Sequence, residues 1–500
     1  MVVDLSQHDL DNGFTLKSDS AGEHPVYLYF DPANNIAQYS YKLTSLLDSP
    51  QIRNAIEISD QSISHLLTSG VVPPPYTVYK HLYIITIGHS ATVTNANGTQ
   101  YLKFEYSFPF MNDERHNSET FDEKIALALI ASAVTSKLDP TMPSVLFQSA
   151  GKDSNIIALA LAEQGIQNQI ELITYAASGR EDESKYARTI ASKLGFRHSV
   201  TTIPEKLDAH HLSSIHRYFR NSPFPSTDRA TLLFPLLAAD GIQNNNVIDG
   251  MGNDVYIGHI PPRSEINKAQ YSEYLEVLQC LLQLFPSESL VSSLNRTKAQ
   301  VTCLTGLTDR DSNSIMPADF NNRRHWRDYS HQYRNLDYLD FRAQLRGGTV
   351  DTELFMRKVR NAGDVFNWNV IFPWANEEVA KYFFHMDESF LFDRKKLRNK
   401  IILRELLKNH NLIDSDTIGK MAFNFDTKKV LDQLGKSVSE NIYECSYWTS
   451  GIKKLTERLE KRIKSNGARS GVAHFMLYRL YIVSAWLNHN KYANKLEQSC

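Results

Sequence analysis

Residues 144–154 read Ser-Val-Leu-Phe-Gln-Ser-Ala-Gly-Lys-Asp-Ser. A short apolar run, Val145-Leu146-Phe147, ends in a small, polar turn, Ser149-Ala150-Gly151-Lys152-Asp153-Ser154. Apolar residues at helical spacing follow: Ile156, Ile157, Leu159, Ala160 and Leu161. The pattern predicts strand, turn and helix, which aims backbone N–H groups and a helix N-terminus at a phosphate. Ser149 and Ser154 add hydroxyl donors. Asp153 is the odd member, because a carboxylate beside phosphates repels them unless a metal ion lies between. The turn therefore reads as a site for a magnesium-bound nucleotide, with Ser149, Gly151, Lys152, Asp153 and Ser154 as candidate ligands. An ordinary junction capped by Ser and Asp is the competing reading. The Gly-x-x-x-x-Gly-Lys-[Ser/Thr] spacing of a Walker loop is absent.

Working outward, strands and helices alternate. The strand at 144–148 leads to a helix ending near 164, a strand at 171–175, a helix over roughly 182–194 and a strand near His198. That βαβαβ order predicts a parallel sheet with right-handed crossovers. A helix at 228–240 precedes a further strand, Asn246-Val247-Ile248-Asp249. This strand ends in Gly250-Met251-Gly252-Asn253-Asp254, and Gly258 follows. Ligands bind where such strands end. Gly250 and Gly252 permit close backbone approach there, and Asp254 offers a second metal-binding carboxylate. Before residue 116 the chain is β-rich, with strands at 26–30, 81–86, 91–94 and 101–104, and residues 1–24 are expected to form a loose polar arm. A helical pattern covers 120–138, and from 265 onward the patterns are mostly helical.

These motifs, in this order, resemble the synthetase domain of the asparagine synthetase family, whose relatives include β-lactam and carbapenam synthetases and lasso-peptide cyclases. The first turn is similar to that family's pyrophosphatase loop, Ser-Gly-Gly-x-Asp-Ser, with Ala150 in place of one glycine. Asp182-Glu183-Ser184-Lys185-Tyr186-Ala187 resembles its Asp/Glu-Glu-x-x-Tyr-Ala helix start. Gly250 to Gly258 resembles Gly-x-Gly-x-Asp-x-x-x-Gly. Phe372-Pro373-Trp374 looks like its Pro-Phe turn, and Lys400 to Glu405 like its Lys-x-x-Leu-Arg helix. Lys420 falls where the family places a lysine near the reacting phosphate. The resemblance spans about 116–430.

It implies an α/β fold: a parallel-sheet ATP-pyrophosphatase (adenine nucleotide α-hydrolase-like) domain with C-terminal helices at 116–500, preceded by a small β-rich domain at 1–115. It also implies an activity, the adenylation of a substrate carboxylate by ATP and its coupling to an amine, with release of AMP and diphosphate. Asp153 and Asp254 would hold Mg2+, and Lys400 and Lys420 would act on the phosphates. Two family positions differ. Asn369 and Ile371 stand where many relatives carry the acid and the arginine of Gly-x-Glu-x-Arg, so the group that takes the amine's proton is not evident. Tyr256 and His259 are candidates. Val255 follows Asp254, where asparagine synthetases often carry Glu, which disfavours asparagine as product.

Residues 27–89 are similar to the latter half of the family's glutaminase domain. Val2 stands at the second position and the first cysteine is Cys280, so an inactive, truncated glutaminase-like domain is expected, a buttress or a platform for a partner protein or leader peptide. The substrate expected is a small-molecule or peptide carboxylate. The chain is 42% hydrophobic and 22% charged with net charge −2, which favours neither nucleic acid nor acidic membranes. Cys280, Cys303, Cys445 and Cys500 show no Cys-x-x-Cys spacing and suit a reducing cytoplasm. No apolar run is long enough to span a membrane. An adenylating sulfur transferase would need cysteines near the two loops, and a non-catalytic scaffold would not need two acids at one strand edge.

Overall fold

The computed structural model describes residues 2–493 apart from 112–113, 116, 118–119, 177–182, 276–284, 290, 295, 303, 419–424 and 468. Five strands form the central sheet: β1 (Ser144–Gln148), β2 (Ile170–Tyr175), β3 (Arg197–Thr201), β4 (Asn246–Ile248) and β5 (Asn369–Ile371). Their order is β3-β2-β1-β4-β5, and every pairing is parallel. The chain steps from β1 out to β3, then returns to lay β4 on the other side of β1. Strand order thus reverses between β1 and β4, the place where open α/β sheets bind ligands. Ser144 lies opposite Asn246 and Leu146 opposite Ile248. The loops that follow, 149–154 and 249–258, leave one edge of the sheet side by side.

The strands read as apolar runs because both faces are covered. Leu146 and Ile248 point into one cluster with Ile156 and Leu159 of helix Lys152–Glu163 and Ile130 of helix Glu123–Thr135. Val145 and Val247 point into the other, with Phe234, Phe366 and Trp368. Alternate residues of each strand thus sort to opposite faces.

β5 is not anticipated by the sequence reading, since three residues are too few to show an alternation. The helix expected over 228–240 is confined to Leu233–Ala239. Asp228 instead accepts the Ala230 N–H at 2.9 Å and pairs with Lys358 at 2.7 Å. A further helix, Ala209–Asn221, is likewise unanticipated and is capped by Asp208.

The N-terminal region corrects one expectation. Residues 1–24 do not form a loose arm: Val3–Asp4 pairs with Ile36–Ser40, and helix Gln7–Asn12 carries a Ser6/Asp9 capping box. Strand Phe14–Lys17 joins the hairpin His89–Ala96 and Thr99–Tyr106. Leu5, Leu10 and Leu16 are buried against Val26, Leu28 and Phe30, which orders a segment that is otherwise mostly polar. Tyr27, Tyr29 and Leu67 from this region share one apolar cluster with Phe224 and with Tyr478 and Trp486 of helix Ser470–His489. Among the described residues no helix is long and apolar enough to cross a membrane.

Candidate active site

The first loop is shaped from within. Ser149 Oγ accepts the Gly151 N–H at 3.0 Å, and Ser154 Oγ accepts the Ser149 N–H at 3.3 Å. Asn155, fully buried, donates to the carbonyls of Ser149 and Gly151 at 3.0 and 2.6 Å and accepts from Gln148 at 2.8 Å. Gly151 caps helix Lys152–Glu163, and Asp153 stands in its first turn. Ala150 sits at negative φ, because it is not among the residues with positive φ. The family's glycine is therefore not required there, and the Ala150 N–H faces Glu183 Oε2 at 3.4 Å. Burial pushes the Glu183 carboxyl up.

The second loop packs directly on the first. A Cβ at Gly250 would lie 3.1 Å from the Ser154 nitrogen, and one at Gly252 (φ +114°) would lie 2.9 Å from the Ala375 nitrogen. At Gly252 the positive φ and the contact under 3.0 Å both call for glycine, and at Gly250 a side chain would have to push the Ser154 backbone aside by a few tenths of an ångström. Asp254 opens a π-helical turn, Asp254–Gly258, of a kind frequent at functional sites.

Lys400 joins the two loops. Its Nζ lies 2.8 and 2.7 Å from the two oxygens of Asp153, 2.8 Å from Asp254 Oδ1 and 3.0 Å from Asn253 Oδ1. Asn253 Nδ2 in turn donates to Asp153 Oδ1 at 2.6 Å. The Lys400 side chain is 7% exposed, whereas those of Asp153 and Asp254 are 28% and 27% exposed. Burial pulls the ammonium's pKa down, but Asp153 and Asp254 outweigh it and hold Lys400 above its ordinary value. Burial likewise raises Asp254, yet Lys400, His259 and Arg346 hold its carboxyl well below the usual carboxylate range. Lys400 adopts φ +55° at the start of helix Ile401–Asn409. The preceding Asn399 anchors that segment by donating to the Gly258 carbonyl at 3.1 Å.

The turn at 372–374 braces the cluster. Trp374 Nε1 donates to the Asp153 carbonyl at 3.2 Å, and Tyr256 OH donates to the Trp374 carbonyl at 2.6 Å. The asparagine synthase family profile matches residues 126–427, a span that contains both loops, this turn and Lys400. The chain belongs to the asparagine synthase family. Ligase chemistry driven by ATP is what this membership supports. No curated protein matches the chain. Among solved structures it is similar to the U34-tRNA thiolase NcsA from Methanococcus maripaludis with its [4Fe-4S] cluster. The identity is 13%, the match covers 47% of this chain and 81% of that one, and the TM-score is 0.21, too loose an overlap to bear on function.

Within this family frame, the predicted site residues fall into three groups. Ser149, Gly151, Lys152, Asp153, Ser154, Gly250, Gly252, Asp254 and Lys400 lie in the two adjoining loops or on the segment that clasps them. Lys420 and Asp182 lie outside the described residues. Asn369 lies elsewhere. It opens β5 at the opposite edge of the sheet and donates to the Lys137 carbonyl and to Asn246 Oδ1, both at 2.7 Å. With about 3.3 Å of rise per residue, that puts it roughly 10 Å from the edge that carries the loops.

The two candidate proton acceptors are otherwise occupied. Tyr256 OH gives its proton to Trp374, and the ring is buried. His259 Nδ1 lies 2.5 Å from Arg342 Nη1, a donor that is itself paired with Glu265 at 2.7 Å.

Sequence reasoning passed over three groups. Asn155 and Asn253 carry no catalytic signature, although a buried Asn in the first turn of an apolar helix could have marked the loop. Asp249 follows β4 at the ligand edge, buried, with Oδ1 accepting the Met251 N–H at 3.0 Å. Burial raises its carboxyl to about 6, against the pull of Lys358 and of that hydrogen bond.

The donor set fits Mg2+. Two carboxylates and an amide oxygen are hard ligands, and Mg2+ is commonly held by one or two carboxylates together with substrate phosphates. Among the described residues no group of three or more His, Cys, Asp or Glu converges as a self-sufficient metal cage.

Proposed function

We propose that the protein is an AMP-forming amide synthetase that adenylates a specialised carboxylate and passes the acyl group to an amine. One observation supports this above the others: Asp153 and Asp254, from loops on neighbouring strands at the point where strand order reverses, converge on a single cation, Lys400. In this reading a substrate carboxylate oxygen attacks the α-phosphorus of ATP. The new P–O bond forms as diphosphate leaves. The amine nitrogen then attacks the acyl carbon, and AMP leaves with the C–O bond's electrons.

Asp153 and Asp254 would hold Mg2+, which supplies charge neutralisation for the departing diphosphate. The first-turn N–H groups of helix Lys152–Glu163, with Ser149 and Ser154, would bind phosphate oxygens. Lys400 would exchange its two carboxylates for phosphate oxygens, and Lys420 would add a second cation. Asp249 follows β4 at this edge of the sheet, and burial pushes its carboxyl up to about 6, so it is the candidate acceptor of the amine's proton.

The 1–115 region would buttress this domain or seat a partner protein or leader peptide, and the enzyme would work in the cytoplasm on a peptide or natural-product precursor. The competing reading, a scaffold without catalysis, is disfavoured by the cost of holding two acids and a lysine together at so little exposure.

The test is exchange of labelled diphosphate into ATP, with Mg2+ and a panel of amino acids and short peptides as carboxylates. Hydroxylamine would trap any acyl-adenylate as a hydroxamate. Exchange that disappears in Asp153→Ala, with nucleotide affinity falling at least about 100-fold, is the expected result. Failure of a non-hydrolysable ATP analogue to bind with Mg2+ present would sink the proposal.

A further inference from the structure

The loop that carries Asp254 is braced by one long helix. Helix Tyr338–Leu345 runs directly into a π-helical segment, Arg346–Met356, and on into helix Arg357–Phe366. π-Helix is rare beyond a single turn and is frequent at functional sites. This segment has 11 residues and lies against the turn Asp254–Gly258. A Cβ at Gly347 would lie 2.8 Å from Val255 Cγ1 and 2.7 Å from the Phe108 ring. Glycine at 347 is therefore what lets the segment reach Val255, the residue after Asp254.

Two buried arginines of this helix meet the two ends of the turn. Arg342 and Arg346 stand one helical turn apart and so share a face. Arg342 Nη1 donates to the His259 carbonyl at 2.9 Å, just past the end of the turn. Arg346 adjoins Gly347 at the Asp254 end, and its charge is one of those that hold the Asp254 carboxyl low. Each guanidinium is oriented by an acid of its own. Glu265 Oε1 accepts from Arg342 Nε at 2.7 Å and from the Tyr338 hydroxyl at 3.0 Å. Asp351 Oδ1 accepts from Arg346 Nη2 at 2.7 Å, across one turn of the π-segment. The Arg342 and Arg346 side chains are 2% and 5% exposed, too deep to meet a ligand themselves.

The pair answers a physical need of the site. If Lys400 turns to phosphate, Asp254 loses a buried cation, and a carboxylate in that position is costly unless another positive charge stays close. Arg346 is tied to the scaffold through Asp351 and stays. Arg342 keeps the far end of the turn in place. Outer groups of this kind orient metal ligands and typically govern 10- to 100-fold in metal affinity.

We propose, on the reading of the two loops as a Mg2+–nucleotide site, that Arg342 and Arg346 are positioning residues for the metal. They act through the second loop, holding Asp254 in place and ionised while it binds Mg2+ with the nucleotide's phosphates.

The test is Mn2+ affinity, read by electron paramagnetic resonance on the full chain with a non-hydrolysable ATP analogue. Affinity should fall about tenfold in Arg342→Gln and in Arg346→Gln. Arg346→Lys keeps the charge and should recover part of the loss. Glu265→Gln leaves both arginines in place, poses less risk to folding, and should lower affinity by a smaller factor. The control is Arg357→Gln on the same helix. Arg357 is equally buried and paired with Glu353 at 2.8 Å, but it faces Tyr27 of the N-terminal region, so its loss should leave Mn2+ affinity unchanged. Affinity unaltered in Arg346→Gln and Glu265→Gln, or lowered to the same extent in Arg357→Gln, would overturn the proposal. A wild type that binds no metal–analogue complex would overturn both this proposal and the nucleotide reading. Binding that is present in the wild type and weakened in these variants, without diphosphate exchange, would overturn adenylation alone.

Discussion

The two buried charge clusters of this molecule are built on opposite plans. Around Lys400, one cation is held between two acids, Asp153 and Asp254, at 2.7 and 2.8 Å. Around Arg479, the Leu67 and Thr305 carbonyls accept from Nη1 at 3.2 and 2.6 Å and the Phe475 ring lies 4.8 Å away, and no carboxylate pairs with Arg479 among the described residues. The acid-rich cluster carries a surplus negative charge, which calls for a cation and for what that cation brings, a phosphate chain. The Arg479 guanidinium is instead held by neutral partners, two carbonyls and an aromatic face. A buried charge without its counterpart costs several kcal/mol, so the surplus at the acid-rich cluster indicates its ligand.

This contrast can be broken most sharply at Lys400. Lys400→Met leaves two neighbouring carboxylates with no cation between them, and is expected to cost about 3 kcal/mol of stability. Millimolar Mg2+ or Mn2+ should restore much of that loss in thermal melts of the variant and shift the wild type far less. A variant that melts like the wild type, with or without metal, would show that the clasp carries no such strain.

Replacing Asp249 should have the next largest effect. This residue titrates near 3.8 in the unfolded chain and at about 6 in the folded one, so folding favours its neutral form. Its contribution to stability is therefore fully present below pH 3.8 and is lost as pH rises through 6. Asp249→Asn cannot ionise. It should be more stable than the wild type at about pH 8, by on the order of 2 kcal/mol, and the gap should close toward about pH 4. Urea melts across that range check the sign. The same variant should slow amide formation while leaving diphosphate exchange intact.

Arg479→Met sharpens the comparison from the other side. The Leu67 carbonyl keeps a donor in the Leu307 N–H at 2.9 Å, so the loss amounts to one hydrogen bond at Thr305 and the Phe475 contact, offset by removal of a desolvated cation. The cost should stay below about 1 kcal/mol, well under that of Lys400→Met, although both remove one buried cation. Equal losses in the two melts would erase the distinction between the clusters. Smallest of all, Ala150→Gly should change stability by roughly 0.5 kcal/mol or less and nucleotide affinity by under about threefold in calorimetry, since Ala150 sits at negative φ.

Much of the site was legible in the chain. Asp153, Asp254 and their glycines follow apolar runs that read as covered strands, and Lys400 opens a recognisable helix. Other features depend on partners remote in sequence. Residues 1–24 look unstructured until Leu5, Leu10 and Leu16 are set against strand Val26–Asp31. Asn369 looks like a site position by its spacing from Pro373, yet it lies at the opposite edge of the sheet from the loops, hydrogen-bonded to Asn246. Arg479 looks like an ordinary helix-surface arginine until helix Asp60–Ser69 and Gly306 close over it.

The sequence by itself determined the alternation that makes a parallel sheet and the two loops that end its central strands. Those signals are local: hydrophobic period, turn chemistry and the placement of an acid one residue inside a helix. Only the tertiary structure decided which charges are shared. Asp153, Asp254 and Lys400 are separated by as much as 247 positions. Their meeting at under 3 Å depends on β1 and β4 lying side by side and on Asn399 tying the last segment to Gly258. The same holds for Arg479, which Gly70 and Gly306 approach from remote parts of the chain. Electrostatic balance is a property of distance and burial, and neither is written in the order of residues.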